Sequence, residues 1–96
     1  MNEKKIDFLS AWDNLTCQEK VVFSCLMEGL SDQEIAVQLF LSARTITTHV
    51  YHILKKFGVK SRVQLLVFYY RDSGFLVVKD QDRITLCQRP LSIKEE

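Results

Sequence analysis

A mainly α-helical domain of four short helices, closed by a short extension that is prone to form a β-hairpin, is the fold class predicted by this sequence of 96 residues. Three observations predict it. Helix start signals occur four times in the stretch from Thr16 to Gln64, apolar residues recur at helical spacing behind each of them, and a glycine follows three of the four segments. The length adds a bound, because a chain this short can bury only one core.

The elements follow in order. Residues 1–13 form an N-terminal arm or short helix, in which Ile6, Leu9 and Trp12 can make a turn or two against the bundle. Thr16-x-x-Glu19 then fits a capping box, in which the hydroxyl accepts a backbone N–H and the acid reaches back. A helix over about 16–28 offers Val21, Val22, Cys25 and Leu26 as its inner face, and Gly29 ends it. Ser31-x-x-Glu34 repeats the capping box and opens a helix over 32–39, with Ile35, Ala36 and Leu39 inward. Phe40-Leu41-Ser42 is a tight connection, and Ser42 caps the next helix, 43–57. There Ile46, Val50, Ile53 and Phe57 form a single stripe, and Gly58 stops it. Leu30 with Ile35, and Leu41 with Ile46, sit at staple spacing across two of these starts. Ser61-x-x-Gln64 opens the last helix, 62–72, with Gly74 beyond its end.

That last helix is too apolar to stand alone. Leu65, Leu66, Val67, Phe68, Tyr69 and Tyr70 surround it, so it needs cover on more than one side, from a second subunit or from the residues that follow. Those residues contain Phe75-Leu76-Val77-Val78 and Ile84-Thr85-Leu86, β-prone runs around Asp80-Gln81-Asp82 that suggest a hairpin, although the turn lacks an Asn-Gly or Asp-Gly pair. Pro90 to Glu96 reads as a frayed tail.

Composition and charge narrow the function. Hydrophobic residues make up 47% and charged residues 26%, ordinary values for a folded domain. No apolar run approaches the roughly 18–20 residues of a membrane span. The start does not read as a signal peptide, and a cytoplasmic protein with no membrane partner is expected. Cys17, Cys25 and Cys87 show no C-x-x-C spacing, so reduced thiols are expected and not a disulfide framework or a zinc site. His49 and His52 lack a third ligand, and His49 sits near the core stripe, where packing suffices to explain it. No nucleophile elbow, acid pair or glycine-rich phosphate loop occurs, so neither an enzyme nor a cofactor is indicated.

Net charge is only +1, but it is unevenly spread. Residues 35–71 contain no acid, while Arg44, Lys55, Lys56, Lys60, Arg62 and Arg71 all fall there. Such a basic segment in a nearly neutral chain is expected where one face meets a polyanion. On a helical wheel of 43–57, the apolar stripe points one way. Arg44, Thr48, Tyr51, His52 and Lys55 point the other, with Thr47 on the flank. Two short helices joined by a three-residue turn, the second with a polar and basic outer face, form a helix-turn-helix pattern. The third position of that second helix is Thr45, where the other starts carry Glu or Gln. An acid there would repel a phosphate at the helix N-terminus, although Thr45 can equally be a packing residue.

Leu15-Thr16-x-x-Glu19, Gly29-Leu30-Ser31-x-x-Glu34-Ile35-Ala36-x-x-Leu39, Ser42-x-x-Thr45-Ile46-x-x-His49-Val50 and Ile53-Leu54-x-Lys56-Phe57-Gly58-Val59-x-Ser61-Arg62-x-Gln64 together resemble the LuxR/GerE-type helix-turn-helix. The resemblance covers about residues 14–76, leaving 77–96 as extension and tail. It implies a four-helix domain that binds double-stranded DNA, with the third helix in the major groove and a homodimer formed through the fourth. Carried over by position, it assigns base reading to Thr47, Thr48 and Tyr51, and phosphate contact to Ser42, Arg44, His52, Lys55, Lys56 and Arg62. The dimer surface would be Val63, Leu66, Val67 and Tyr70. Two departures stand out. The family often has Lys or Arg at the base-reading positions, where this chain has hydroxyls and a ring, which points to modest discrimination or to reading of DNA shape. The family domain usually ends a longer protein, so the stand-alone members are the nearer comparison. The competing reading is an interaction module that uses the helix-turn-helix as a scaffold to dock on RNA polymerase or another regulator. The promoter-binding end of sigma factors has a similar motif, but the match over residues 42–62 favours the LuxR/GerE type.

Overall fold

The computed structural model describes residues 7–72, 74–80 and 83–88. Their order is α1 (Phe8–Asp13), α2 (Cys17–Met27), α3 (Asp32–Leu39), α4 (Ala43–Phe57), α5 (Arg62–Asp72), β1 (Phe75–Asp80) and β2 (Arg83–Gln88). The four anticipated helices are α2 to α5, and the arm supplies a further short one. The caps act as the sequence implies. Thr16 accepts the Glu19 N–H at 3.1 Å while the Thr16 N–H donates to Glu19 Oε1 at 3.0 Å, and Ser31 and Glu34 exchange the same pair. At α5 the arrangement differs. Ser61 still accepts the Gln64 N–H, but the Gln64 amide oxygen reaches past it to the Lys60 N–H at 2.8 Å.

Three helix ends share one device, a residue in the left-handed region followed by an N–H that reaches back five residues. Gly29 and Gly58 fill that position for α2 and α4, with Leu30 N–H bonding the Cys25 carbonyl and Val59 N–H the Leu54 carbonyl. In α3 the position is held by Phe40, at φ 59°, with Leu41 N–H bonding the Ala36 carbonyl at 2.9 Å. This closes the turn tightly enough for α4 to start at once. The turn between α3 and α4 leaves the Phe40 ring 93% exposed.

The core lies between α1, α2, α4 and α5 and is largely aromatic. Phe23 stacks on Phe57 with ring centroids 5.3 Å apart, and Phe8 contacts both rings. Trp12 and Tyr69 approach Phe23 edge-on. Ile35, Ile46, Ile53 and Leu65 are completely buried around them. Two sequence expectations need correction here. Leu9, expected to face the bundle, is 40% exposed, and Phe8, Ala11 and Trp12 make the buried face of α1. Phe23, absent from the expected inner face of α2, is fully buried, whereas Val21 is only half-buried. Ile6, the hairpin tip at Gln81 and Asp82, and the tail from Pro90 lie outside the described residues.

β1 and β2 pair antiparallel, from Phe75 opposite Gln88 to Asp80 opposite Arg83. The hairpin packs on α2, and Val77, Ile84 and Leu86 contribute to the core margin. It also answers part of the question posed by the apolar last helix. The Val77 N–H donates to the Tyr69 hydroxyl at 2.9 Å, so the extension covers the Tyr69 side of α5. Val63, Val67 and Tyr70, at i, i+4 and i+7, remain on an uncovered side, 69%, 45% and 52% exposed.

Candidate nucleic-acid interface

The geometry of α4 follows from its single apolar stripe. Ile46, Val50, Ile53 and Phe57 are buried, which turns Arg44, Thr47, Thr48, Tyr51, His52 and Lys55 outward, all exposed. Polar and cationic groups on an exposed helix face suit base edges and phosphates. Lys55 lies with its ammonium 5.5 Å from the Tyr51 ring centroid, a cation–π contact that keeps the two side chains together one turn apart. At the helix start, Ser42 Oγ accepts the Thr45 N–H at 3.1 Å and donates to Thr45 Oγ1 at 2.9 Å. The Ser42 hydroxyl proton is therefore directed to Thr45.

The two other cations assigned to phosphate have different surroundings. Lys56 is half-buried, and its ammonium donates to Glu19 Oε1 at 2.7 Å and to the Asn14 carbonyl at 3.0 Å. His52 Nδ1 lies 3.9 Å from Glu19 Oε2. Arg62 donates to Asp32 Oδ1 at 2.6 Å. Thr47 Oγ1 meets the other oxygen of the same carboxylate at 2.8 Å and the Ala43 carbonyl at 3.0 Å. A segment without acids in the chain is thus not without acids in space, and the argument from an acid-free neighbourhood fails for Lys56 and Arg62. Glu19 and Asp32 come from the first turns of α2 and α3, where the sequence pattern gave Glu19 a capping role and Asp32 none.

Both carboxylates feel two opposed influences. Burial pushes the Glu19 carboxyl up. The hydrogen bonds from Lys56 and from the Thr16 backbone, with the charges of Lys56 and His52, outweigh it and leave Glu19 below the usual glutamate value. Burial likewise raises Asp32, and the Arg62 and Thr47 hydrogen bonds with the Arg62 charge bring it below the usual aspartate value. Both acids are ionised near neutrality, and each ties α4 to the scaffold. Glu19 holds the last turns of α4 to α2, and Asp32 holds its first turns to α3 and the start of α5.

Of the residues assigned to the dimer surface, Val63, Val67 and Tyr70 share the uncovered side of α5, and Leu66 is half-buried beside them. Among the described residues no group of three or more His, Cys, Asp or Glu side chains could hold a metal ion, and no helix is long and apolar enough to cross a membrane. Cys25 is buried, and Cys17 and Cys87 are exposed and unbridged.

Comparison with known proteins converges on the same segment. The family model described as bacterial regulatory proteins, luxR family, matches residues 13–69. An HTH-type transcriptional regulator of Mycobacterium tuberculosis is 47% identical over 55 residues, 57% of this chain and 6% of the relative. The nitrate/nitrite response regulator protein homolog of Haemophilus influenzae is 38% identical over 61 residues, 64% of this chain and 29% of the relative. The spore germination protein GerE of Bacillus subtilis is 40% identical over 53 residues, 55% of this chain and 72% of the relative. The chain therefore spans most of GerE but under a third of the other two.

Proposed function

The chain belongs to the luxR family of bacterial regulatory proteins, and on that premise we propose that it is a sequence-specific, DNA-binding transcription regulator that docks α4 in the major groove and pairs with a second copy through α5. The outward face of α4 carries the proposal. Its stripe fixes which side is buried, and the opposite side offers Arg44 and Lys55 with exposed cationic ends around Thr47, Thr48 and Tyr51. Arg44, Lys55, His52 and the start of α4 at Ser42 serve the phosphates. Thr47, Thr48 and Tyr51 face the base edges. Lys56 and Arg62 act at the same border, but through the acids that hold them.

The uncovered Val63, Val67 and Tyr70 favour a homodimer. A two-fold pair would set two recognition helices about one helical turn, roughly 34–36 Å, apart on an inverted repeat. The same stripe could serve docking on RNA polymerase, but that reading gives the exposed groups of α4 no task.

Two measurements test the proposal. Fluorescence anisotropy with a 30-base-pair duplex should show log affinity falling with log salt at a slope of about 0.9 for each phosphate contacted. Salt-independent binding, or no binding to any duplex, would remove the reading. Val67→Glu buries a charge at the proposed interface, and sedimentation should then report a monomer whose binding to an inverted repeat falls at least tenfold. Within the base-reading group, Thr48→Ala and Tyr51→Ala should alter the order of preferred sequences more than they alter mean affinity across a random pool. A uniform loss over all sequences would assign those two residues to the phosphates.

A further inference from the structure

The two oxygens of Glu19 are unequally served. Oε1 accepts from the Lys56 ammonium at 2.7 Å and from the Thr16 N–H at 3.0 Å. Oε2 accepts no hydrogen bond among the described residues, and His52 Nδ1 lies 3.9 Å from it. The Glu19 side chain is only 5% exposed, and a buried carboxylate oxygen draws a donor, which a small turn of the ring would supply. The His52 side chain is 51% exposed, so its other nitrogen, Nε2, is left for the side where α4 meets a phosphate. The other charges near the ring lie on its own helix. Lys56 sits on the opposite oxygen of Glu19 and offsets that acid, while Lys55 is turned to the Tyr51 ring. The titratable ring of Tyr51 stands 5.8 Å from the imidazole, and His49 is half-buried one turn back. Among the described residues, α1, α3 and α5 bring no carboxylate into an ion pair with His52.

We propose that Glu19 is a positioning residue for DNA binding, which by holding the Nδ1 side of His52 lets the ring meet a phosphate only as an imidazolium, so that each docked copy of α4 takes up one proton. The inference rests on the reading of α4 as the DNA-facing helix. Neither neutral form of the ring serves both neighbours. A neutral imidazole has one N–H and one bare lone pair, whereas a carboxylate and a phosphate diester are both pure acceptors. With the proton on Nδ1, a lone pair faces the phosphate. With the proton on Nε2, a lone pair faces Glu19. Only the doubly protonated ring gives an N–H to each. In the free protein Glu19 and Lys56 nearly cancel at the ring, and the phosphate tips the balance on binding. The complex then holds more protons than its separated parts, so affinity rises as pH falls through about 8 to 5, where histidine ordinarily titrates. Glu19 touches no DNA in this account. It acts through His52.

The test measures the affinity of the whole chain for one duplex at constant salt between pH 8 and pH 6. A phosphate beside the ring favours its charged form by about one pH unit, which gives about fivefold tighter binding over that range for each docked copy. Calorimetry at pH 7 in two buffers of different ionisation enthalpy should count the protons taken up. His52→Gln should flatten the pH profile and remove the proton uptake, while His49→Gln should change neither. Glu19→Gln keeps a residue that suits the cap, but its amide can donate to Nδ1. A neutral His52 then serves both neighbours, and the profile should flatten although the histidine is still present. A merely structural role for Glu19 would lower the urea midpoint and leave the profile as steep as in the wild type. A flat wild-type profile, a slope that survives His52→Gln, or a slope that survives Glu19→Gln would each overturn the inference while leaving DNA binding intact. If Glu19→Gln fails to fold, the His52→Gln profile and the proton count still decide. No binding to any duplex at any pH would remove both the inference and the reading beneath it.

Discussion

Replacing Lys56 with methionine is expected to lower folding stability by about 2–3 kcal/mol, a larger effect than its direct contribution to DNA affinity. Glu19 is only 5% exposed, and Lys56 supplies the cation that meets it at 2.7 Å. Removing one partner of a buried pair strands the other, which costs about 3–5 kcal/mol in a dry site. Lys56 is itself 33% exposed, so the figure is reduced for solvent. The dependence on pH provides a sign that packing loss alone would not give. In the wild type the folded pKa of Glu19 is depressed, so its contribution is complete above the unfolded pKa. It is lost as pH falls through the folded pKa. In Lys56→Met two of the four influences that lower the Glu19 pKa are gone, so the folded pKa moves up toward the unfolded one and less stability is lost as pH falls. Urea midpoints at pH 7 and near pH 4 should therefore separate the two proteins widely at the higher pH and bring them together at the lower. Glu19→Gln in the Lys56→Met background should recover part of the loss at pH 7. Equal midpoints at both pH values, with a reduced salt slope in DNA binding, would make Lys56 a free phosphate contact after all.

The contrast between Lys55 and Lys56 marks the border of what was legible in the sequence. Helix positions followed from Thr16, Ser31, Ser42 and Ser61 with their third-position partners, because capping is local chemistry and needs no knowledge of the rest of the chain. The orientation of α4 followed from one clean stripe. Phe23 was missed because it is recruited by Phe8, Trp12 and Phe57 from two other helices, and the wheel of α2 alone shows no gap that demands it. For the same reason, Lys56 and Arg62 read as free cations. Their acids lie 37 and 30 residues earlier, and only the packing of α4 and α5 on α2 and α3 brings them within reach. Glu19 carried a signal already used up by its capping role, and Asp32 carried none of its own. Each sits where a helix start favours an acid, so a second role left no further trace in the pattern. The apolar last helix was legible as a demand for cover, but not its division, with the hairpin taking Tyr69 while Val67 and Tyr70 stay outside.

Lys55→Glu is expected to reduce affinity for duplex DNA by about a hundredfold or more at 0.1 M salt while leaving the folding midpoint nearly unchanged. Its ammonium is exposed, and its described contact is the Tyr51 ring, so no buried acid is stranded by its removal. Each phosphate contact contributes about 0.9 to the salt slope, which amounts to roughly a factor of ten between 1 M and 0.1 M salt. In a two-fold pair each substitution counts twice, so two contacts are lost and two repulsions are added. The slope should fall by about 1.8 for a dimer and by about 0.9 for a monomer, and the same titration therefore reports how many copies of α4 touch the duplex. Arg44→Glu should behave alike, since Arg44 is also exposed near the start of α4. Arg62→Glu should not, because it places a second acid against Asp32 and its penalty appears in the folding midpoint. If Lys55→Glu leaves DNA affinity intact while Val67→Glu abolishes regulation, α5 is the working surface and the helix-turn-helix serves as a docking scaffold.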